Sequence, residues 1–570
     1  MLQWKKCRIV LTVITGIFAL NLFLSACSQE TLTGIHDVEV INSKIREIPK
    51  GYNFVGANWY EDNAANFDLF SNPEHVEEYI KAIKYLGTDL LRYPSGNCVY
   101  TNFWDVPYED IYKAIGAKYW RAGFKLTLEE FLAFCKKGGF KATIQLNTHN
   151  YFDKAKKEII LLKSHDLTPE GKKDWDTGEV KWKLVKKAAE YAADEVRWVK
   201  KNNFYDLVAY WEIGNEEYLR ENRRTGYTGS EYAKVAKIFT EELRKVDPNI
   251  KLLLTTSTNT VNPMQVGKPK YFSPQYMYNW NKSLFDSPEI NDIKKNIFAI
   301  TIHLYPYGRF WPLDDYNVFR KSIYNNDKLD TNYLLNTHKA FIDKYGYDKV
   351  SIFINEFNAT DCDSCKYSNT WLVALGNARM IMTSAKNPNC HHLDYHELMN
   401  FNYRVTYIEN GKTKYKDDVY NGRGYGLLHY AKNFTVPFIY HPVGNAVAML
   451  NQAIKGNVLK TVYNENYPLY VLSSEDEKSV RVIFLNMEKN TQINLKLSGF
   501  DNLRYIDNKS LGIGVAEDFT ALDVYDSITT PSQVRQINEI ENEIQINHSG
   551  DKYRINLPAN TLSVFNFEKI

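Results

Sequence analysis

Between residues 51 and 456, short apolar runs alternate with stretches whose apolar residues recur every three or four positions, the periods of buried strands and amphipathic helices. We read eight strands: Tyr52–Asn58, Asp89–Tyr93, Ala142–Asn147, Leu207–Gly214, Lys251–Thr256, Phe298–Leu304, Val350–Glu356 and Leu393–Met399. The segments between them read as helices. In Glu231–Val246, Tyr232, Val235, Ile238 or Phe239, and Leu243 recur at helical spacing, Ser230 stands at the start as a cap, and Pro248 follows the end. Apolar strands alternating with helices belong to an α/β fold, and eight such units predict a closed (β/α)8 TIM barrel over 51–456. After the helical stretch Val443–Ile454 the period shortens to two. Leu469–Ser473, Ser479–Leu485, Gln492–Leu497, Tyr553–Leu557 and Leu562–Phe567 predict a C-terminal antiparallel β-sandwich domain over 457–570. The strand-like Val38–Ile48, within the span 38–50, is expected to join that same sheet.

The first residues follow a different logic. Lys5, Lys6 and Arg8 precede the apolar run Ile9–Leu24, which ends in Leu24-Ser25-Ala26-Cys27. Charge, apolar run and small residues in this order form a secretory signal, here residues 1–26. The run is short for spanning ~30 Å of hydrocarbon, which disfavours a permanent membrane helix. The ending resembles the bacterial lipobox, which implies lipidation of Cys27, a tether over 27–37 and a lipid-anchored protein of the bacterial cell envelope. Cys98, Cys135, Cys362, Cys365 and Cys390 remain after Cys7 and Cys27, so at least one thiol is unpaired. Cys362-Asp363-Ser364-Cys365 has no second cysteine pair or close histidine pair to complete a zinc site, and we expect a local disulfide or two free thiols there.

Charge excludes one class of partner. The 570 residues carry 70 Lys+Arg against 68 Asp+Glu, a net +2, which does not suit a nucleic-acid binder. The 41 Tyr, 29 Phe and 11 Trp include many flat amphipathic rings of the kind that stack on sugars, although such rings also fill cores. No phosphate, nicotinamide or flavin fingerprint follows a strand, so no cofactor is expected, and no metal site is either.

Barrel active sites lie at the carboxyl ends of the strands. Two of those ends carry an Asn-Glu pair: Asn215-Glu216 after strand four and Asn355-Glu356 on strand seven. A carboxylate at the end of an apolar strand is costly to desolvate unless it is paired or used. Two carboxylates facing one cleft are what glycosidic cleavage needs, one to protonate the leaving oxygen and one to attack the anomeric carbon or activate water. Glu212, four residues before Glu216, is a rival carboxylate that strand geometry places deeper in the barrel. His396-Glu397, at the end of strand eight, is within reach of a substrate.

Leu91-Arg92-Tyr93-Pro94-Ser95-Gly96-Asn97, Gly214-Asn215-Glu216, Asp247-Pro248-Asn249-Ile250, His303-Leu304-Tyr305, the Glu356 strand end and Leu557-Pro558-Ala559-Asn560-Thr561-Leu562-Ser563-Val564 together resemble glycoside hydrolase clan A, most closely the family 51 α-L-arabinofuranosidases. The resemblance implies a retaining hydrolase with Glu216 as general acid/base and Glu356 as nucleophile. It also implies substrate-binding roles for Arg92, Asn97, Asn215, His303 and Tyr305. Arg92 would keep Glu356 ionised, Tyr305 would donate a hydrogen bond to it, Asn215 would hold the sugar 2-hydroxyl, and Asn97 would hold another hydroxyl or position the acid/base. Two places depart from the family: Ser95 stands where it usually has a second glycine, and Gly56-Ala57-Asn58-Trp59-Tyr60-Glu61 lacks its usual first-strand pattern. The expected substrate is a plant or algal polysaccharide or its oligosaccharides, with an α-L-arabinofuranoside as the first choice. An endo-acting hydrolase of the same clan, acting on a galactan, a glucan or a glucuronide-containing glycan, is the alternative. A non-catalytic surface glycan-binding lipoprotein is the alternative of another class.

Overall fold

The computed structural model describes residues 35–59, 72–115, 126–164, 178–219, 226–258, 274–306, 330–359, 370–400, 426–430, 438–464, 468–487, 490–512 and 544–570, with a few short segments between them. The signal, lipidation and tether readings over 1–34 and the Cys362/Cys365 pair fall outside the described residues. Among the described residues no helix is long and apolar enough to cross a membrane. Cys98, Cys135 and Cys390 are buried, and Cys135 and Cys390 are free thiols.

Eight parallel strands close into a barrel: β1 (Val55–Asn58), β2 (Leu90–Tyr93), β3 (Lys141–Leu146), β4 (Val208–Ile213), β5 (Leu252–Thr255), β6 (Ile297–Leu304), β7 (Ser351–Phe357) and β8 (Cys390–Tyr395). Each pairs with its sequence neighbours, and β8 returns to β1 through Leu393–Val55. The eighth strand lies a few residues earlier than the expected Leu393–Met399. Its polar start, Cys390-His391-His392, hides a strand in which every residue but His391 is buried, while Met399–Asn400 forms a separate short strand beside Leu428–Tyr430.

The helices follow their sequence signals. Gly229–Val246 buries Tyr232, Val235, Phe239 and Leu243 on one face. Its cap is Thr228 rather than Ser230, because Thr228 and Glu231 form a reciprocal capping box that satisfies two otherwise unpaired N–H groups. Trp371–Lys386 is buried along nearly its whole length, wedged between the barrel and the second sheet.

That second sheet has ten strands. Its core is Val38, Val40, Leu459, Val471, Val482, Phe484, Ile493, Leu495, Ile555, Phe565 and their neighbours. The N-terminal strand Ile35–Glu47 lies inside it, antiparallel to Asn457–Val462 and parallel to Thr491–Ser498. The sheet is therefore mixed at this one strand, where alternation alone suggests purely antiparallel pairing.

Inside the barrel the side chains form layers. Leu90, Tyr210, Leu253, Ala299 and Phe353 pack as an apolar floor. Two residues further along three of those strands, on the same inward face, stand Arg92, Glu212 and Asn355, all buried. The barrel thus changes from apolar to charged within one layer, just below its carboxyl end.

Candidate active site

Arg92 is the hub of the polar layer. Its Nε and Nη2 donate to the two oxygens of Glu212 at 2.7 and 3.1 Å. Nη1 donates to Glu356 Oε1 at 2.7 Å and to Asn58 Oδ1 at 2.8 Å, and Nη2 reaches Asn215 Oδ1 at 2.8 Å. A guanidinium wholly out of water is tolerated because two carboxylates and two amides take up its donors. Desolvation disfavours its charge, yet the fields of Glu212 and Glu356 outweigh that and raise its pKa. Glu212 lies inside the barrel, as strand geometry suggests. Burial raises its pKa while Arg92 works in the opposite direction.

Glu356 sits where β7 carries an extra residue: Ile302 pairs with Ile354, but His303 pairs with Glu356. The irregularity lets both Asn355 and Glu356 face inward although they are adjacent, so Asn355 Nδ2 reaches Glu212 while Glu356 reaches Arg92. Tyr305 donates its hydroxyl to Glu356 Oε2 at 2.8 Å. Burial by itself would raise the Glu356 pKa, but neighbouring His303 and Arg92 more than offset it and hold the carboxyl below its ordinary value.

Glu216 follows β4 through a tight turn, with Gly214 at φ 82° and Glu216 itself at φ 49°. Left-handed backbone is uncommon for a non-glycine residue and is held here by its surroundings. The Glu216 side chain is 16% exposed against 7% for Glu356, so it stands nearer the mouth. His303 Nδ1 lies between the two, 2.9 Å from Glu216 Oε1 and 3.2 Å from Glu356 Oε2. A proton on that nitrogen would be shared between the two carboxyls, whereas a bare Nδ1 would accept from a protonated Glu216. One ligating atom each from Glu216, His303 and Glu356 lie within 4.8 Å of one another. Such a trio can hold a metal ion, but Arg92 and Tyr305 already aim donors at Glu356, and this donor set suits an anionic carboxylate.

The other expected residues have varied places. Asn215 is buried, its Oδ1 accepting from Arg92 and from Gln145 at 3.2 Å. Asn97 is half-buried in the 3-10 turn Gly96–Thr101. His396 is buried with its ring edge-on to Tyr305, and burial lowers its pKa to about 4. The two departures meet each other: Ser95 donates its hydroxyl to Asn58 Oδ1 at 2.6 Å, the same oxygen that accepts from Arg92. Ser95 has φ 72°, a conformation that favours glycine, and its hydroxyl contact accompanies that strain.

Sequence reasoning passed over Tyr100, Gln145, Thr148, His149 and Glu217. They gather behind Asn215 and have no motif of their own; the one available signal is the second acidic residue directly after Asn215-Glu216.

No family profile matches the sequence, and no curated protein matches it. Solved structures do. The α-L-arabinofuranosidase from Thermotoga maritima aligns over 94% of this chain and all of its own, with TM-score 0.61 at 14% identity. AbfB, a family 51 α-L-arabinofuranosidase from Bifidobacterium longum, gives TM-score 0.63 at 13% identity over 94% of this chain and all of its own. The chain has the fold of the family 51 arabinofuranosidases. CelM2, a bifunctional glucanase-xylanase from a metagenome library, shares this fold at TM-score 0.57 and 12% identity, over 94% of this chain and all of its own. The arabinofuranosidase fold thus also houses a protein described as acting on glucans and xylans, and specificity has to be sought in the side chains.

Proposed function

We propose that the chain is a retaining glycoside hydrolase acting on a plant or algal polysaccharide or its fragments, with an α-L-arabinofuranoside as the preferred substrate. The observation that carries this reading is the approach of the Glu216 and Glu356 carboxylate oxygens to within 4.8 Å, with His303 Nδ1 between them. Retaining enzymes hold their carboxyls about 5–5.5 Å apart, whereas inverting enzymes leave about 6.5–9.5 Å for a water molecule.

In this reading Glu356, kept ionised by His303 and Arg92, attacks the anomeric carbon. The leaving oxygen takes its proton from Glu216, the more exposed of the pair. Glu216 then removes a proton from the water that cleaves the glycosyl-enzyme. With its proton on Nδ1, His303 can donate to whichever carboxylate carries the greater negative charge at each stage. The intact pair and its donors favour an enzyme over a glycan-binding barrel.

A screen of aryl glycosides and polysaccharides, with the first-formed anomer followed by NMR, tests the proposal. Release of a sugar with the substrate's anomeric configuration supports it; the opposite configuration, or no turnover of any glycan, defeats it. For arabinose itself, kcat/KM on the order of 10⁴ M⁻¹s⁻¹ or better is expected on an aryl α-L-arabinofuranoside. Negligible cleavage beside clean depolymerisation of a galactan, glucan or uronic-acid polymer would remove that sugar and leave the mechanism standing.

A further inference from the structure

Glu217 is buried, lies directly after the proposed proton donor, and has no part in the chemistry above. Its Oε1 accepts the backbone N–H of Asn215 at 3.1 Å and the hydroxyl of Thr148. His149 Nε2 stands 3.0 Å from the same oxygen. The carboxylate folds back over Gly214 so closely that a β-carbon there would meet Oε1 at 1.9 Å and Thr148 Oγ1 at 2.6 Å. On the other side of the Asn215 peptide, the Tyr100 hydroxyl donates to the Asn215 carbonyl at 2.9 Å.

Both polar groups of the Asn215 backbone are therefore clamped, one by Glu217 from within the turn and one by Tyr100 from outside it. The next residue is Glu216, in left-handed backbone that a non-glycine residue keeps only where its surroundings impose it. Burying a carboxylate for a structural contact that a neutral acceptor can make is costly. Here the carboxylate takes the Thr148 hydroxyl, has His149 Nε2 3.0 Å away, and ties the segment after β3 to the turn after β4.

We propose that Glu217 is a positioning residue that sets the Glu216 carboxyl in register with His303 and with the leaving oxygen of the substrate. The proposal rests on the reading of Glu216 as proton donor. Removing Glu217 should leave the Glu356 attack intact and misplace the proton, so the damage should depend on how much the leaving group needs protonation.

The test compares kcat/KM on two aryl glycosides of the sugar released in the screen above, one with a dinitrophenyl and one with an unsubstituted phenyl leaving group. Four proteins are measured: wild type, Glu216→Ala, Glu217→Ala and Glu217→Gln. We expect Glu217→Ala to lose about 10-fold or more on the phenyl substrate beyond its loss on the dinitrophenyl one, a fraction of the 10²–10⁴ attributed to general acid catalysis. Glu217→Gln, whose amide oxygen still accepts from Asn215, should recover most of that difference. Should the alanine variant fail to fold, Glu217→Asp, which keeps the charge but withdraws it from the Asn215 N–H, is read in the same way. Equal losses on both substrates would make Glu217 a structural residue and overturn the proposal. If Glu216→Ala itself shows no leaving-group dependence, the reading of Glu216 fails first; if Glu216→Ala shows it and the Glu217 variants do not, only the present proposal falls.

Discussion

Arg92 and Glu356 meet at 2.7 Å, Nη1 to Oε1, with the arginine side chain wholly buried. Because the Glu356 pKa is depressed in the folded chain, its ionised form is present above the ordinary carboxylate range and is lost only as the pH falls through the depressed value. Arg92→Met removes one of the two main charges opposing burial, so the acidic limb of the kcat/KM profile should move to higher pH. The substitution also strands Glu212 and Glu356, and a stability loss on the order of 3–5 kcal/mol is expected in urea titration. A lower rate with an unmoved limb would separate Arg92 from the nucleophile's ionisation.

Gly214→Ala should be among the most damaging single substitutions outside the carboxylates. The backbone there is left-handed and the new methyl would occupy the place of the Glu217 carboxylate. Strain and the displaced acceptor together should cost about 2 kcal/mol or more. Thermal unfolding measures this, and an unchanged melting temperature would mean that the turn relaxes freely.

The barrel was legible because its strands are mostly apolar up to their carboxyl ends and its helices alternate with them, which is why seven of the eight strands fall where expected and only the histidine-rich β8 shifts. Glu216 and Glu356, the carboxylates proposed to carry the chemistry, were legible as strand-end acids. Glu217 was not, because its meaning depends on a side chain curling back over a glycine three residues earlier, a relationship that no period encodes. The shared role of Ser95 and Asn58 was hidden for a similar reason: the two come together only when β1 and β2 pair.

Glu195 gives a prediction about a carboxyl that takes no part in the proposed chemistry. It is buried in the helix Trp182–Lys201, and desolvation, aided by the charge of Asp105, pushes its pKa from 4.5 to about 8. Between those values the folded chain keeps a proton that the unfolded chain has released, so stability falls as the pH rises through that window. Glu195→Gln should remove the penalty and raise the melting temperature more at pH 9 than at pH 5, the extra stability at pH 9 being on the order of a few kcal/mol. Parallel melting curves at the two pH values would contradict this.

Cys27→Ser addresses the anchor expected from Leu24-Ser25-Ala26-Cys27. Acyl chains contribute ~0.8 kcal/mol per buried CH₂, so the acylated protein should sediment with membranes and the variant should not. Fractionation, with mass analysis of the mature N-terminus, decides it: an unmodified N-terminus and an unchanged distribution would rule the anchor out.

The strand Ile35–Glu47 also imposes an order of events on synthesis. Its parallel partner, Thr491–Ser498, lies 457 positions later in the chain, as in the Asp37–Asn494 contact. At roughly 5–20 residues per second, the first strand leaves the ribosome some 20–90 s before that partner exists. During that interval it is an unpaired edge, the kind of segment that seeds aggregation. Its exposed positions include Asp37 and Lys44 beside Ile35 and Ile45, Glu39 is half-buried, and Val38 and Val40 are its buried apolar residues. The charges that later pair across the finished sheet, as Glu39 does with Lys496, thus protect the strand while it waits.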